Sequence, residues 1–107
     1  MHEIQNILLK SMDLIVKRHE LLSNNIANID TENYERKDIN FEKEIKKILK
    51  SEDIKNYEPE IIKSKSVKVE NEILEVSKNV LLFNSITKIL ILKQKILESS
   101  INTTTGV

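Results

Sequence analysis

The sequence predicts a mainly α-helical fold in which two long helices, one at each end of the chain, pair as an elongated, coiled-coil-like rod. Three observations predict it. Apolar residues at both ends recur at helical spacing. The 107 residues include one glycine and one proline, too few turn formers for a fold of many strands. Aromatic residues make up 4% of the chain, so Ile, Leu and Val are expected to form the core of this single domain.

The first segment, residues 1–29, is predicted to be an amphipathic helix that packs against the last one. Its apolar residues are three, four or seven positions apart, as on one face of a helix. They are Ile4, Ile7, Leu8, Leu14, Ile15, Leu21, Leu22, Ile26 and Ile29. The heptad frame that starts at Ile4 meets polar residues at Ser11, Arg18 and Asn25, so we expect this face to have a polar edge. The predicted contacts with the last helix include Leu14, Leu21 and Leu22.

The middle segment, residues 30–69, is expected to be irregular apart from one short helix and one short strand. The polar run 30–33 ends the first helix, and asparagine is the expected substitute for glycine at a left-handed position. Asn40 is the predicted N-cap of the short helix. That helix presents a face formed by Phe41, Ile45, Ile48 and Leu49. It ends before the stretch 56–60, which contains Pro59, and alternating apolar and polar residues over 66–70, with valines at 67 and 69, predict the strand.

The last segment, residues 70–101, is the longest predicted helix, and residues 102–107 are expected to form a flexible tail. One continuous stripe consists of Ile73, Val76, Val80, Phe83, Leu90, Gln94, Leu97 and Ile101. A second set of apolar residues widens it over much of the circumference, namely Leu81, Leu82, Ile89, Ile91, Leu92 and Ile96. The predicted helix interface includes Val80, Phe83, Leu90 and Leu97.

The lengths of the two helices leave part of this apolar surface uncovered. At ~1.5 Å per residue they are roughly 39 and 46 Å long, whereas a compact chain of this size has a radius of gyration of about 13 Å. Each helix covers one stripe of the other, so the apolar surface of residues 80–97 is expected to face water until further copies of the chain cover it. The alternative is that the middle segment folds back over it.

Composition argues against catalysis and against the usual ligand sites. Lys and Arg number 17 and so do Asp and Glu, which argues against nucleic-acid binding through surplus positive charge. There is no cysteine, and His2 and His19 are far apart, so neither a metal site nor a cofactor is predicted. Gly106 alone cannot form a phosphate loop, and no motif for a small-molecule substrate is present. The lysines within 43–50 and 63–68 are mixed with acids, as on solvated faces.

The run of asparagines at the end of the first helix is unusual, because asparagine competes with the helix for backbone hydrogen bonds. Asn25 lies on the same face as Leu21, Leu22 and Ile29, so it is expected to point into the packing, where a polar residue fixes register. Fraying of a polar helix end would explain Asn28 but not Asn25. The pattern by itself leaves both interpretations open.

A resemblance to a known family favours the first interpretation. The run 21–31, with its core Asn25-Ile26-Ala27-Asn28, followed by Thr31, a turn and Tyr34, resembles the N-terminal signature of bacterial flagellar rod and hook proteins. The continuation 36–41 and the short length are most similar to the proximal rod members, and the run 69–101 resembles the closing helix of the family. The family has Pro-Gly after the threonine and a glycine before the closing helix, and this chain has neither.

The resemblance implies a structural subunit of the flagellar basal body. Such subunits are exported through the flagellar type III apparatus without a cleaved signal peptide and polymerise helically into the periplasmic rod. The expected partners are other copies, other rod proteins, the basal-body adapter and the export apparatus. The residues expected to set assembly and register are Asn24, Asn25, Ile26, Ala27, Asn28, Asp30, Thr31 and Tyr34.

Two other classes of function fit the pattern. A small helical adaptor or export chaperone would bind a partner helix through the apolar surface of residues 80–97. A peripheral membrane protein would use the lysines of 43–50 together with the apolar face of the short helix.

Overall fold

A computed structural model describes residues 4–65 and 68–104, of which 102–104 are described by their backbone alone. The elements follow in the order α1 (Ile4–Ala27), β1 (Arg36–Asp38), α2 (Phe41–Lys50), β2 (Ile62–Ser64) and α3 (Val69–Thr104). The protein measures 65 × 28 × 15 Å and has a radius of gyration of 17.6 Å, well above the ~13 Å of a compact chain of this length. The predicted fold class, mainly helical and elongated, is confirmed.

The two long helices run antiparallel along their common length. Asn25 contacts Glu72 at one end of the pair, and the Thr87 hydroxyl lies 4.0 Å from the Met12 sulfur at the other. Because Met12 lies beside Thr87, this register places Ile4, eight residues before Met12, beside residue 95, eight residues after Thr87. The last turns of α3 therefore extend beyond the described end of α1.

The middle segment packs against α1, where it forms the apolar core. The buried cluster joins Leu14 and Leu21 of α1 to Ile39 and Ile48. The partly buried residues around it are Ile7, Phe41, Ile45, Ile54 and Tyr57. Three of the four residues of the predicted apolar face of α2 thus pack in or against the core, whereas Leu49 is 58% exposed, and this packing argues against the interpretation that the face binds a membrane surface. In the part of the chain that the structure describes, no helix is long and apolar enough to cross a membrane.

Local sequence signals set the ends of α2. The Asn40 side chain accepts a hydrogen bond from the Lys43 amide at 3.1 Å, as the predicted N-cap should. Acidic residues occupy the first turn and lysines the last, the arrangement that the helix dipole favours. The Ser51 amide closes the helix on the Ile48 carbonyl at 3.2 Å.

A tight turn between α1 and β1 contains the one non-glycine residue with positive φ in the described ranges. Asn33 has φ 60°, and the Tyr34 amide donates to the Thr31 carbonyl at 3.3 Å. A turn with positive φ at its third residue alone is of type II, which accepts glycine or asparagine there. Asparagine thus takes the left-handed position in this turn, as the sequence predicted.

The strands lie elsewhere than predicted. Arg36–Asp38 and Ile62–Ser64 form an antiparallel ribbon in which Lys37 faces Lys63 directly. The predicted strand at 66–70 falls partly on residues 66 and 67, which lie outside the described residues. Val69 is the first residue of α3 rather than part of a strand. Of the predicted tail, residues 102–104 continue α3, and residues 105–107 lie outside the described ranges.

Candidate assembly interface

A row of polar residues on α1 is buried between the other elements. The three residues that interrupt the heptad frame, Ser11, Arg18 and Asn25, are all buried. The Ser11 hydroxyl donates to the Ile7 carbonyl of its own helix at 2.8 Å, whereas the other two reach the ribbon and α3. Seven-residue spacing places the three on one face of α1.

Asn25 is fully buried, and its amide connects four parts of the chain. Its nitrogen donates to the Lys37 carbonyl at 2.8 Å and to the Glu72 carboxylate at 3.2 Å. Its oxygen accepts from the Lys37 amide at 2.9 Å and from the Tyr34 hydroxyl at 3.1 Å. These four bonds use the whole hydrogen-bonding capacity of the amide. Asn25 therefore holds the turn, β1 and α3 to the end of α1, with all of these contacts inside one chain.

A charged network continues from Asn25 along the seam between α1, β1 and α3. Arg18 donates to both oxygens of Asp38, at 2.8 and 3.2 Å, and to Glu75 at 2.5 Å. Arg36 donates to Glu72 at 2.5 Å and to Asp38 at 3.2 Å. Two guanidinium groups thus bind three carboxylates, and Asp38 bridges both. Charge-assisted, partly bidentate bonds of this kind impose a single geometry.

The network favours the charged forms of Asp38 and Glu75. Burial by itself would raise the pKa of Asp38, but hydrogen bonds from the Arg18 guanidinium and the Ile39 amide hold that pKa below its ordinary value. The hydrogen bond from Arg18 lowers the pKa of Glu75 more than partial burial raises it. Both carboxylates are consequently ionised at neutral pH, as an intact network requires.

A second buried carboxylate fastens the loop that follows α2. Glu44 accepts hydrogen bonds from the Tyr57 hydroxyl and from the Glu60 amide at 3.2 Å, and it pairs with Lys47 at 3.1 Å. Burial opposes ionisation of Glu44, but these donors lower its pKa overall. Burial and the neighbouring Glu44 carboxylate raise the pKa of Tyr57. Lys10 of α1 lies 5.7 Å from the centre of the same ring.

The residues predicted to set register fall into three groups. Asn25 and Tyr34 belong to the network above. Asn24, Asn28 and Thr31 are linked by local hydrogen bonds at the end of α1. The Asn28 side-chain amide donates to the Asn24 backbone carbonyl at 2.9 Å, and the Thr31 hydroxyl donates to the Asn28 side-chain oxygen at 3.1 Å. The remaining three differ in exposure. Ile26 is half-buried, whereas Ala27 and Asp30 are exposed.

The predicted helix-interface residues differ in burial between α1 and α3. On α1, Leu14, Leu21 and Leu22 are buried. On α3, Leu90 is half-buried, but 44% of Val80, 38% of Phe83 and 44% of Leu97 are exposed. The other large apolar residues exposed on α3 are Val69, Ile73, Leu74, Leu81, Ile89, Ile91, Leu92, Ile96 and Ile101. Within residues 4–65 and 68–104, α2 contacts α1 and leaves α3 uncovered, so the middle segment does not fold back over this surface.

A groove of about 240 Å³, lined mostly by apolar side chains, lies between α1 and α3. It lies between Ile15 and Val16 of α1 and Val80 and Phe83 of α3, with Asn79 beneath. The Asn79 amide donates to the Ile15 carbonyl at 2.9 Å, and its own oxygen is buried without a partner among the described residues. The α1–α3 seam thus contains polar groups along its length, and the unpaired Asn79 oxygen lowers its stability.

The sequence pattern does not predict the charged partners of the seam. In the sequence, Arg18 is a break in the heptad, and the pattern assigns no role to Arg36, Asp38, Glu72 or Glu75. One signal was available, because three polar residues seven positions apart require polar partners when their face is buried. Across the described ranges, no group of three or more His, Asp or Glu side chains is arranged to hold a metal ion.

Comparison with known proteins gives one informative similarity. No protein-family model matches the chain. Over 42 residues it is 45% identical to the flagellar basal body rod protein FlgB of Borreliella burgdorferi strain B31, a stretch that covers 39% of this chain and 31% of that protein. The match thus spans less than a third of the relative's length. The predicted resemblance to flagellar basal-body rod proteins is confirmed by this similarity to FlgB.

Proposed function

We propose that this protein is a structural subunit of the bacterial flagellar basal-body rod and that it polymerises helically through its two terminal helices. The observation that carries the proposal is the apolar surface of α3, which the rest of the chain leaves exposed. The similarity to a rod protein supports the same function. Other copies of the chain and other rod proteins are the partners that would cover this surface.

The exposed surface is too extensive for a helix that functions alone. Apolar residues lie around α3 from Ile73 to Ile101, while α1 covers one stripe. A helix that is apolar on most sides is normally buried, and a large exposed apolar patch marks an interface. The proposal requires this surface to contact a different surface of the next copy, which is a heterologous contact. Heterologous contacts that do not close into a ring generate a helical filament.

The polar seam would determine which surface the helix pair presents to its neighbours. Because Asn25 and Arg18 bond to particular partners on α3, a shift in the register of α1 and α3 would leave buried polar groups unpaired. The local chain of Asn24, Asn28 and Thr31 then orients the turn at the exposed end of α1. We assign the register role to these residues on that basis, with Ile26, Ala27, Asp30 and Tyr34 beside them.

The location and the remaining partners belong to the same proposal. As a rod subunit the protein would reside in the periplasmic rod of the basal body, reach it through the flagellar export apparatus without cleavage, and contact the basal-body adapter at one end. The similarity to FlgB supports a structural role rather than an enzymatic one.

The decisive experiment changes the exposed apolar surface and leaves the fold intact. Leu81 and Leu92 are 66% and 58% exposed, so Leu81→Gln combined with Leu92→Gln should not alter the circular dichroism of the purified chain. The same change in the bacterium is expected to abolish swimming and intact basal bodies in electron micrographs. The matched control replaces two exposed polar residues of α3, as Asn84→Ala with Lys88→Ala, and should leave both normal.

Normal flagella in the double leucine variant would contradict the proposal. If deletion of the gene left the rod intact but reduced export of one rod protein, the adaptor or export chaperone would be the correct class.

A further inference from the structure

Independently of the rod assignment, we propose that the outer face of the β1–β2 ribbon docks an extended acidic segment of a partner protein, which joins the ribbon as a third strand beside β2. The surface consists of Lys37, Lys63 and Lys65, here called the lysine face. It is separate from the apolar surface of α3 and suits a different kind of partner.

The lysine face follows from the pleat and register of the ribbon. Side chains alternate between the two faces of a strand. Arg36 and Asp38 point inward to the charged network, so Lys37 between them points outward. Lys63 lies directly opposite Lys37, which places their Cβ atoms about 5 Å apart on the same face. Lys65 follows at the end of β2, and all three lysines are exposed.

This arrangement is unfavourable in the isolated chain. Like charges directly opposite each other destabilise a strand pair. None of the three lysines has a carboxylate within ion-pair distance among residues 4–65 and 68–104. Glu35, just before β1, lies opposite Lys65 when the register of the ribbon is continued, so the face carries three positive charges against one negative charge. Because no ion pair inside the described residues offsets the repulsion between Lys37 and Lys63, the proposal assigns the opposite charge to a partner outside the chain.

The free edge of the ribbon indicates how that partner would bind. Asn25 occupies the outer edge of β1, where it bonds to both the amide and the carbonyl of Lys37. Because these groups point away from β2, Lys37 and Lys63 form a non-hydrogen-bonded pair. The amide and carbonyl of Lys63 therefore point away from β1, toward the open edge. β2 is exposed at all three of its residues, so this edge can accept a further strand.

The charge of the face indicates the chemistry of the segment. An added strand beside β2 would place one side chain opposite Lys63 on the lysine face, with its i+2 neighbours on the same side. Acidic residues at alternate positions would then face the lysines and relieve their mutual repulsion. Backbone pairing would provide affinity, and the carboxylates would provide specificity.

The test uses the full chain and a fluorescein-labelled peptide of eight residues in which Glu and Val alternate. We expect fluorescence anisotropy to show binding that weakens as salt is added. Lys63→Glu should weaken it about tenfold, because attraction at the centre of the face becomes repulsion. The same variant should be at least as thermally stable as the parent, since opposite charges then face each other across the ribbon.

Matched controls separate this proposal from general charge effects. Lys17→Glu makes the same change of charge on an exposed residue of α1 and should leave peptide binding unchanged. A peptide with Gln in place of Glu should bind at least tenfold more weakly than the acidic peptide. In the ¹⁵N–¹H spectrum, the acidic peptide should shift the Lys63 amide more than the Lys37 amide, which Asn25 already occupies.

Several outcomes would overturn the proposal. If Lys63→Glu and Lys17→Glu weakened peptide binding equally, the net charge of the protein and not the lysine face would explain the binding. If Lys37→Ser combined with Lys63→Ser caused the chain to self-associate while acidic peptide affinity stayed at the parental value, the lysines would only protect an open edge. Binding to phosphatidylserine vesicles but not to the peptide would make the partner a membrane surface.

Discussion

A single amide organises the end of the helix pair. Asn25 replaces what would be an apolar position of the α1 seam, and its four hydrogen bonds connect α1 to the turn, to β1 and to α3. A polar residue in such a seam reduces stability unless every group is paired, but a fully paired one selects a single register. The structure thus gives Asn25 fixed partners on the turn, β1 and α3, and its role in register and assembly is the one proposed above.

The first prediction concerns this residue. Asn25→Leu is expected to preserve helix content, because leucine is the better helix former. It should lower the free energy of unfolding by roughly 2–4 kcal/mol, because the backbone amide and carbonyl of Lys37 both lose their partner and buried Glu72 loses a donor. Urea unfolding followed by circular dichroism measures this. Asn24→Leu, an exposed neighbour, is the control and should change stability by about 0.5 kcal/mol or less. Equal effects of the two would contradict the role of Asn25.

Among the elements, the ribbon depends most on its neighbours. Its two strands have three residues each, too few to be stable in isolation. The charged network joins β1 to both long helices through Asp38, Arg18 and Glu75. Because these carboxylates must be ionised for the network to hold, pH should control how firmly the ribbon is attached.

The second prediction follows from the lowered pKa values of Asp38, Glu44 and Glu75. A carboxylate whose folded-state pKa is depressed contributes stability above its ordinary pKa, about 3.9 for Asp and 4.3 for Glu, and loses it as pH falls through the folded pKa. The melting temperature should therefore vary little between pH 7 and 5 and fall below about pH 4.

Two variants test the cause of that fall. Asp38→Asn should lower the melting temperature at pH 7 and make its fall below pH 4 shallower, because one of the coupled protonation steps is removed. Glu20→Gln, at an exposed carboxylate of α1, is the control and should follow the parental curve. A curve for Asp38→Asn parallel to the parental one would exclude Asp38 as a source of the pH dependence.

At the scale of the whole molecule, the chain separates two kinds of surface. The core and the polar network lie between α1 and the middle segment and along the α1–α3 seam, while α3 exposes apolar side chains over most of its length. The interior therefore gives one chain a defined shape, whereas the proposed function has the exterior of α3 covered by association. The two proposed interactions differ in physical character, apolar at α3 and electrostatic at the lysine face, so their dependence on salt would distinguish them.

The third prediction concerns this exposed surface. Anything that binds the folded state alone raises apparent stability by mass action. The melting temperature of the purified chain should therefore rise with protein concentration, and the rise should persist at 1 M NaCl because apolar burial is not screened. Differential scanning calorimetry over a hundredfold concentration range measures it. The Leu81→Gln, Leu92→Gln variant should lose this dependence. A melting temperature independent of concentration in the parent would contradict association through α3.

The sequence by itself determined what depends on neighbouring residues. Helical periodicity predicted both long helices, Asn40 predicted a helix cap, and the position of Asn25 among Leu21 and Leu22 predicted that its side chain turns inward. These features follow from spacing and backbone preference, which are properties of short stretches of chain.

Only the tertiary structure decided the pairings between distant residues. Residues 36–38 join 62–64, Arg18 finds Glu75, Glu44 holds Tyr57, and Asn25 bonds to Lys37 and Glu72. A three-residue strand is too short for its alternation of apolar and polar residues to be distinguished from chance. The partner of a buried charge depends on which distant segment the fold brings within a few ångströms. Local preference determines the elements, whereas the requirement to pair every buried polar group selects the way they are joined.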